Sequence, residues 1–204
     1  MSPRPPLAAM LLTGGASRRM GFDKATMVVE GEMCALRTAR LLGGIAQIVI
    51  EIGPGWTGLT VTREEPPGRG PLAAVAAGVE MLGGLGHLGP ALVVACDLPR
   101  INREMLTLLS EWPGDRSVIP VVEGRRQPLC ARWSAVDLAR SIALVAAGES
   151  SLGSCPDPET AELIDESGWG AAGDASVLSD ADCPDDLDRL GVRWRRGVAP
   201  PRAR

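Results

Sequence analysis

The feature that most limits what this chain can fold into is Leu7-Ala-Ala-Met-Leu-Leu12, a continuous apolar run that passes straight into the polar, glycine-bearing stretch Thr13 to Lys24. A run of strand length with no polar alternation suits a strand covered on both faces. The chain that follows supplies the cover. Met33, Leu36 and Ala39, with Leu41 and Leu42, recur at helical spacing and stop at Gly43-Gly44. Ile45 to Ile52 is rich in β-branched residues and reads as a second strand. Pro71 to Leu82 is an alanine-rich helix stopping at Gly83-Gly84, and Ala91 to Cys96 is another buried strand ending at Asp97. Ile101, Met105, Leu108 and Leu109 line one face of the next helix. Ser117 to Val122 and Pro128 to Trp133 read as strands around the turn Glu123 to Arg126, and Val136 to Ala147 as a helix. Ala175 to Leu178 is expected as a last short strand and Pro184 to Leu190 as a last short helix. This alternation predicts a three-layer α/β/α fold with a mostly parallel, Rossmann-like sheet.

With 204 residues, one domain over 1–192 is expected. Gly148 to Asp174, rich in Gly, Ser, Pro and acids, reads as a mobile loop, and the Arg/Pro-bearing 193–204 as a disordered tail. The net charge of −4 argues against nucleic acid or an anionic membrane as partner, since either needs a basic surface. No apolar run approaches the roughly 20 residues of a membrane span. Met1 to Pro6 is short and Pro-rich with no leader pattern behind it, so a cytoplasmic location is expected. Five scattered cysteines and a single histidine, His87, give no zinc spacing and fit a reduced chain with thiols used for packing.

Two segments match G-x-G-x-x-G literally, Gly53 to Gly58 and Gly84 to Gly89. The dinucleotide fingerprint needs a strand before it and a helix after it. The first match leads into another extended segment, Leu59-Thr-Val, and the second follows a helix, so both read as turns. A P-loop is also absent, because Lys24 follows Asp23 and precedes Ala25.

Chemistry concentrates after the first strand, in Leu12-Thr-Gly-Gly-Ala-Ser-Arg-Arg-Met-Gly-Phe-Asp-Lys24. Gly14 and Gly15 let backbone N–H groups approach an anion, and Arg18, Arg19 and Lys24 set cations beside it. Both hydrogen bonds and countercharge suit a triphosphate. Of the 21 basic residues Lys24 is the sole lysine, a compact point charge among planar guanidinium groups. Gly70-Pro71-Leu72 places Pro at a first helical position with small residues behind it, which lets a ligand sit close to the helix N-terminus. Asp97, where a buried strand ends, stands where open α/β sheets bind ligands, and a hard carboxylate there suits Mg2+.

The loop closely resembles the signature of the molybdenum cofactor guanylyltransferase family, roughly L-x-G-G-x-S-x-R-M-G-x-D-K, matching at both glycines, Ser17, Arg19, Met20, Gly21, Asp23 and Lys24. Gly70 to Ala74 resembles the family's G-P-L-A-[GA], Cys96 to Pro99 its C-D-x-P, and Arg126-Gln127-Pro128-Leu129 its R-x-[QH]-P-L. Asp180-Ala-Asp182-Cys-Pro184 resembles its N-x-N-T-P and the D-x-D-T-P of related transferases. The resemblance implies a nucleotide-diphospho-sugar transferase type of fold and transfer of GMP from GTP to molybdopterin, with Mg2+ as cofactor and pyrophosphate released.

By the same resemblance, Leu12, Thr13, Gly14, Gly15, Ser17, Arg18, Arg19, Lys24, Gly70, Pro71, Leu72 and Asp97 would contact the nucleotide, with Arg19, Lys24 and Asp97 catalytic. Glu64-Glu65 occupies the neighbourhood of the family's base-reading Asp, and a carboxylate accepts both N1–H and N2–H of guanine. Asp97 would hold the metal with Asp180 or Asp182, although Asp182 also stands where it could cap the helix starting at Pro184. Arg126, Gln127 and Pro128 would approach the acceptor. The family's G-x-S-[MLV]-R-x-L is replaced by Gly148-Glu-Ser-Ser-Leu-Gly-Ser154, which has no arginine. CTP, a sugar-phosphate acceptor, and a non-catalytic accessory role in molybdoenzyme assembly are the rival readings. Molybdoenzymes or other cofactor-assembly proteins would be the protein partners.

Overall fold

The structure, a computed structural model, describes residues 6–14 and 20–197. The first half of the chain forms β1 (Ala8–Leu12), β2 (Val28–Val29), β3 (Glu32–Met33), α1 (Cys34–Gly43), β4 (Ile48–Ile52), β5 (Thr60–Thr62), α2 (Pro71–Gly84) and β6 (Ala91–Ala95). There follow α3 (Arg103–Glu111), β7 (Val118–Val122), β8 (Arg125–Arg126), β9 (Cys130–Trp133), α4 (Ala135–Ala146), β10 (Glu162–Ile164), α5 (Glu166–Trp169), α6 (Pro184–Arg189) and β11 (Trp194–Arg195).

Every residue of β1 is buried. Ala9 and Leu11 face a core shared with Leu42 of α1 and Met105 and Leu109 of α3. Ala8, Met10 and Leu12 face the opposite core, with Leu72 and Val75 of α2 and Leu138 of α4. The period of two in a strand splits one apolar run between two helical layers, which is why the run carries no polar alternation. The sheet order is β10-β7-β9-β6-β1-β4-β5, with β8 added on β7. β1 runs parallel to both β4 and β6, and β5 parallel to β4. β9 is antiparallel to β6 and β7, so the sheet is parallel at its centre and mixed beyond β6. Among the described residues no helix is long and apolar enough to cross a membrane.

Three expectations need correction. Gly148 to Asp174 is not loop throughout: β10 pairs parallel with β7, and α5 buries Trp169. Ala175–Leu178 forms a 3-10 turn rather than a strand, because the Asp174 carboxylate accepts from Ser176 N at 2.9 Å and starts a helical turn. The tail is ordered at its beginning, where β11 pairs antiparallel with β2 and completes a small sheet with β3. Residues 198–204 lie outside the described residues.

The carboxyl ends of β1, β4 and β6 meet through backbone bonds: Thr13 N donates to Ile52 O at 2.9 Å and Cys96 N to Leu12 O at 3.0 Å. Glu51, fully buried in β4, organises this junction. Its Oε1 accepts from Thr13 Oγ1 (2.6 Å), Gly55 N (2.9 Å) and Trp56 N (2.7 Å). Its Oε2 accepts from Thr57 N (2.9 Å) and Thr57 Oγ1 (2.6 Å). Burial pushes the Glu51 carboxyl up, but these donors outweigh it and hold the carboxyl below its ordinary value. Gly53 lies against the same crossing. A Cβ there would sit 2.2 Å from Thr13 Oγ1 and 2.7 Å from Gly14 N, so no side chain fits.

Glu51→Ala, which strands buried donors, should lower the unfolding free energy by about 2–4 kcal/mol in denaturant titrations. Because the folded-state carboxyl holds its proton less tightly than the unfolded one, the stability that Glu51 adds over Glu51→Gln is complete above roughly pH 4.5 and declines as pH falls through the lower, folded-state value. Gly53→Ala should lower stability by roughly 1–3 kcal/mol in the same titrations, since the added methyl presses on backbone.

Candidate active site

Where β1, β4 and β6 end, the protein opens a cleft of about 880 Å³. Leu12, Thr13, Gly14 and Lys24 line it from the first loop, Glu64 and Gly70-Pro71 from the opposite wall, and Asp97 and Asp182 from a third side. A cleft beyond the carboxyl ends of parallel strands is the ordinary ligand site of an open α/β sheet. Gly15, Ser17, Arg18 and Arg19 lie outside the described residues.

At the floor, the Lys24 ammonium bridges two carboxylates. It lies 2.9 Å from Asp97 Oδ2 and also donates to Asp182 Oδ1. Burial pulls the Lys24 value down, but the Asp97 and Asp182 carboxylates outweigh it and the group is held above its ordinary value. Asp180 joins the pair, and oxygens of Asp97, Asp180 and Asp182 lie within 4.8 Å of one another. Burial first, then the negative charges of Asp97 and Asp182, raise the Asp180 carboxyl above its ordinary value. The backbone fixes the trio as well, since Ala181 N donates to Asp97 O at 3.0 Å.

Neither aspartate is spent on a helix. Asn102 caps α3 by accepting from Met105 N at 2.8 Å, which leaves Asp97 to the cleft. Ahead of α6, Asp186 Oδ2 accepts from Asp182 N and Cys183 N, both at 2.8 Å, so the helix start is capped by Asp186 rather than by the Asp182 carboxylate.

The opposite wall separates residues that the sequence leaves together. Glu64 lines the cleft, where its Oε1 accepts from Gly68 N at 2.8 Å, whereas Glu65 does not line it. Leu72 is fully buried beneath α2 rather than in the cleft. Gly70 has φ of 96°, and a Cβ there would lie 2.7 Å from Ser150 O. Ser150 O also accepts weakly from Leu72 N at 3.4 Å. The segment that departs from the family pattern therefore packs on the start of α2.

Arg126, expected on the acceptor side, reaches that same segment: it donates to Gly153 O at 3.3 Å and to Pro156 O. Gln127 lines a second cavity of about 330 Å³ together with Asp180 and Arg125. Pro128 O accepts from Trp133 Nε1 at 2.8 Å.

Sequence reasoning missed Glu51, Gly53, Pro54, Arg63 and the structural role of Asp23. Gly53, Pro54 and Arg63 line the cleft, and Asp23 accepts from Ala25 N at 3.0 Å and Trp56 Nε1 at 3.2 Å. The literal G-x-G-x-x-G at Gly53 to Gly58 is thus a turn, as its context predicts, but one that braces Asp23 through Trp56 and borders the cleft. A single charged residue inside Ile48-Val-Ile-Glu-Ile52 was the available signal for Glu51. Burial raises the thiols of Cys34 and Cys130 to about 12 and that of Cys96, beside Asp97, well above its ordinary value, so none supplies a thiolate.

Comparisons with known proteins place the chain in a family and a fold. The profile of the MobA-like NTP transferase domain matches residues 9–157. A probable molybdenum cofactor guanylyltransferase of Chloroflexus aggregans is 31% identical over 202 residues, covering 89% of this chain and 91% of that protein. One of Mycobacterium tuberculosis is 34% identical over 170 residues, covering 78% and 83%. The crystal structure of molybdopterin-guanine dinucleotide biosynthesis protein A from Archaeoglobus fulgidus superposes with a TM-score of 0.71 at 17% identity, covering 90% of this chain and 96% of that one. A 2-C-methyl-D-erythritol 4-phosphate cytidylyltransferase from Thermus thermophilus shares the fold at a TM-score of 0.59 and 16% identity, covering 89% and 96%. The chain belongs to the MobA-like NTP transferase family and is a nucleotidyltransferase.

Proposed function

We propose that this enzyme transfers GMP from GTP to the terminal phosphate of molybdopterin, releasing pyrophosphate, in a Mg2+-dependent reaction. The observation that carries the proposal is the convergence of Lys24, Asp97, Asp180 and Asp182 at the floor of the cleft. The similarity to probable molybdenum cofactor guanylyltransferases supports this choice of substrates.

The residues fit a hard divalent cation. Three carboxylates gather within 4.8 Å, and burial, with the negative charge of Asp97 and Asp182 added, raises the Asp180 carboxyl, a crowding that a cation relieves. Asp97, Asp180 and Asp182 would hold Mg2+. When bound, it would supply neutralisation and orientation of the triphosphate oxygens.

The chain's own groups do the remaining work. Gly14, without a side chain, leaves room for phosphate oxygens at the end of β1, and Gly15, Ser17, Arg18 and Arg19 would continue that cradle. Glu64 on the far wall would turn from Gly68 N to accept the N1–H and N2–H of guanine. An oxygen of the acceptor phosphate forms a bond to the α-phosphorus as the bond from that phosphorus to the bridging oxygen breaks. The electron pair leaves on pyrophosphate, whose growing charge the Lys24 ammonium stabilises. The smaller cavity beside Asp180, with Gln127, would admit the acceptor. No group on the protein needs to bond to the nucleotide.

Thermal-shift titration with GTP, CTP and ATP, each with and without Mg2+, should show stabilisation by GTP with Mg2+ above the other two. A larger shift with CTP would reassign the base. Asp97→Ala should keep its circular dichroism spectrum but lose pyrophosphate release by at least about a hundredfold. Full activity in that variant would sink the metal assignment. Lys24→Arg should slow turnover at least about tenfold, because a planar fork does not fit between two carboxylates as a compact ammonium does.

A further inference from the structure

Residues 193–197 run along the segment 21–30, which holds Lys24 and strand β2. Glu30 N donates to Arg193 O at 2.8 Å, and Arg193 returns hydrogen bonds from N (2.9 Å), Nε (3.0 Å) and Nη2 (2.7 Å) to the Glu30 carboxylate. Trp194 and Arg195 pair with Val29 and Val28. Arg196 then reaches back to Gly21 O at 3.3 Å and lays its guanidinium 5.3 Å from the centre of the Phe22 ring. Gly197 packs so closely on the Thr26 carbonyl that any Cβ would overlap it.

Beneath these contacts lies a separate apolar cluster. Met20, Met27, Val29, Cys34, Ala181 and Leu187 form it, and Phe22, Val192 and Trp194 pack against it. The cluster joins both sides of the charged floor, because Lys24 lies between its loop members and Asp182 lies beside Ala181.

We propose that residues 193–197 are a strap that positions the nucleotide-binding loop, with Arg196 as the positioning residue that holds Gly21 and Phe22 so that Lys24 stands between Asp97 and Asp182. Arg196 does not line the cleft. It acts on the backbone three residues before Lys24, without entering the cleft. A guanidinium bound to a carbonyl and stacked on a ring restrains the loop in two directions. Without it the loop samples more conformations, and the nucleotide must bear the ordering cost on binding.

Two lesions of opposite kind test the strap in the full chain. Arg196→Ala removes the attraction, and Gly197→Ala inserts a methyl against Thr26 O. Hydrogen–deuterium exchange without nucleotide should rise roughly five- to tenfold for amides of residues 20–26 in both variants, with β1, α2 and β6 unchanged. Affinity for GTP with Mg2+, which rests on the proposed function, should fall by a similar roughly five- to tenfold while kcat at saturation holds. Arg196→Lys, which keeps charge and a donor, should recover most of both losses. Unchanged exchange at residues 20–26 would overturn the strap, as would a rise spread evenly over the chain. If the wild-type chain fails to bind GTP, the substrate reading falls, and the exchange measurement still decides the strap.

Discussion

The structure depends on β1 being paired on both edges by parallel strands. With β4 on one side and β6 on the other, all three carboxyl ends point the same way, and each delivers one part of the cleft. β1 supplies the loop leading to Lys24, β4 the turn anchored by Glu51, and β6 the carboxylate of Asp97. A parallel arrangement requires crossovers, and the helices that make them cover both faces. The buried strand and the polar cleft beyond its end therefore follow from one pairing.

The charges at that end are arranged rather than merely clustered. Three carboxylates this close repel one another, and Lys24 between two of them offsets part of that repulsion. Glu51, only one strand away, is handled differently: five hydrogen bonds from hydroxyls and backbone N–H groups satisfy its charge without a cation. The contrast marks the two roles. A carboxylate saturated by fixed dipoles is a brace, whereas the carboxylates of Asp97 and Asp182 meet a cationic side chain on the face that lines the cleft.

How much of this was legible in the sequence depended on how local each signal was. β1, α2 and β6 read directly, because a continuous apolar run or an alanine-rich stretch between Gly-Pro and Gly-Gly has few other solutions. Asp97 was legible because it stands just past the end of such a run. β2, β3 and β11 were not, since strands of two residues carry no periodicity and exist only through their pairing. β10 was hidden in a Gly- and Pro-bearing stretch that tertiary contact with β7 makes extended. Arg126 shows how a motif names a residue without its contacts. Its place in a motif drew attention to the cleft, yet its guanidinium reaches the carbonyls of Gly153 and Pro156. Likewise, Glu64 and Glu65 are equivalent on paper, and only the course of the backbone brings Glu64 alone to the wall.

The contacts between Arg193 and Glu30 span 163 positions, and that between Arg196 and Gly21 spans 175. A chain emerging from its amino end can lay β1 against β4 and β6 once the first half is made. The Lys24 loop must wait for partners that lie more than 160 positions further along the chain. Long closure of this kind is slow compared with local pairing. The order of birth thus leaves the sheet as a platform first and completes the charged floor only as these distant partners arrive.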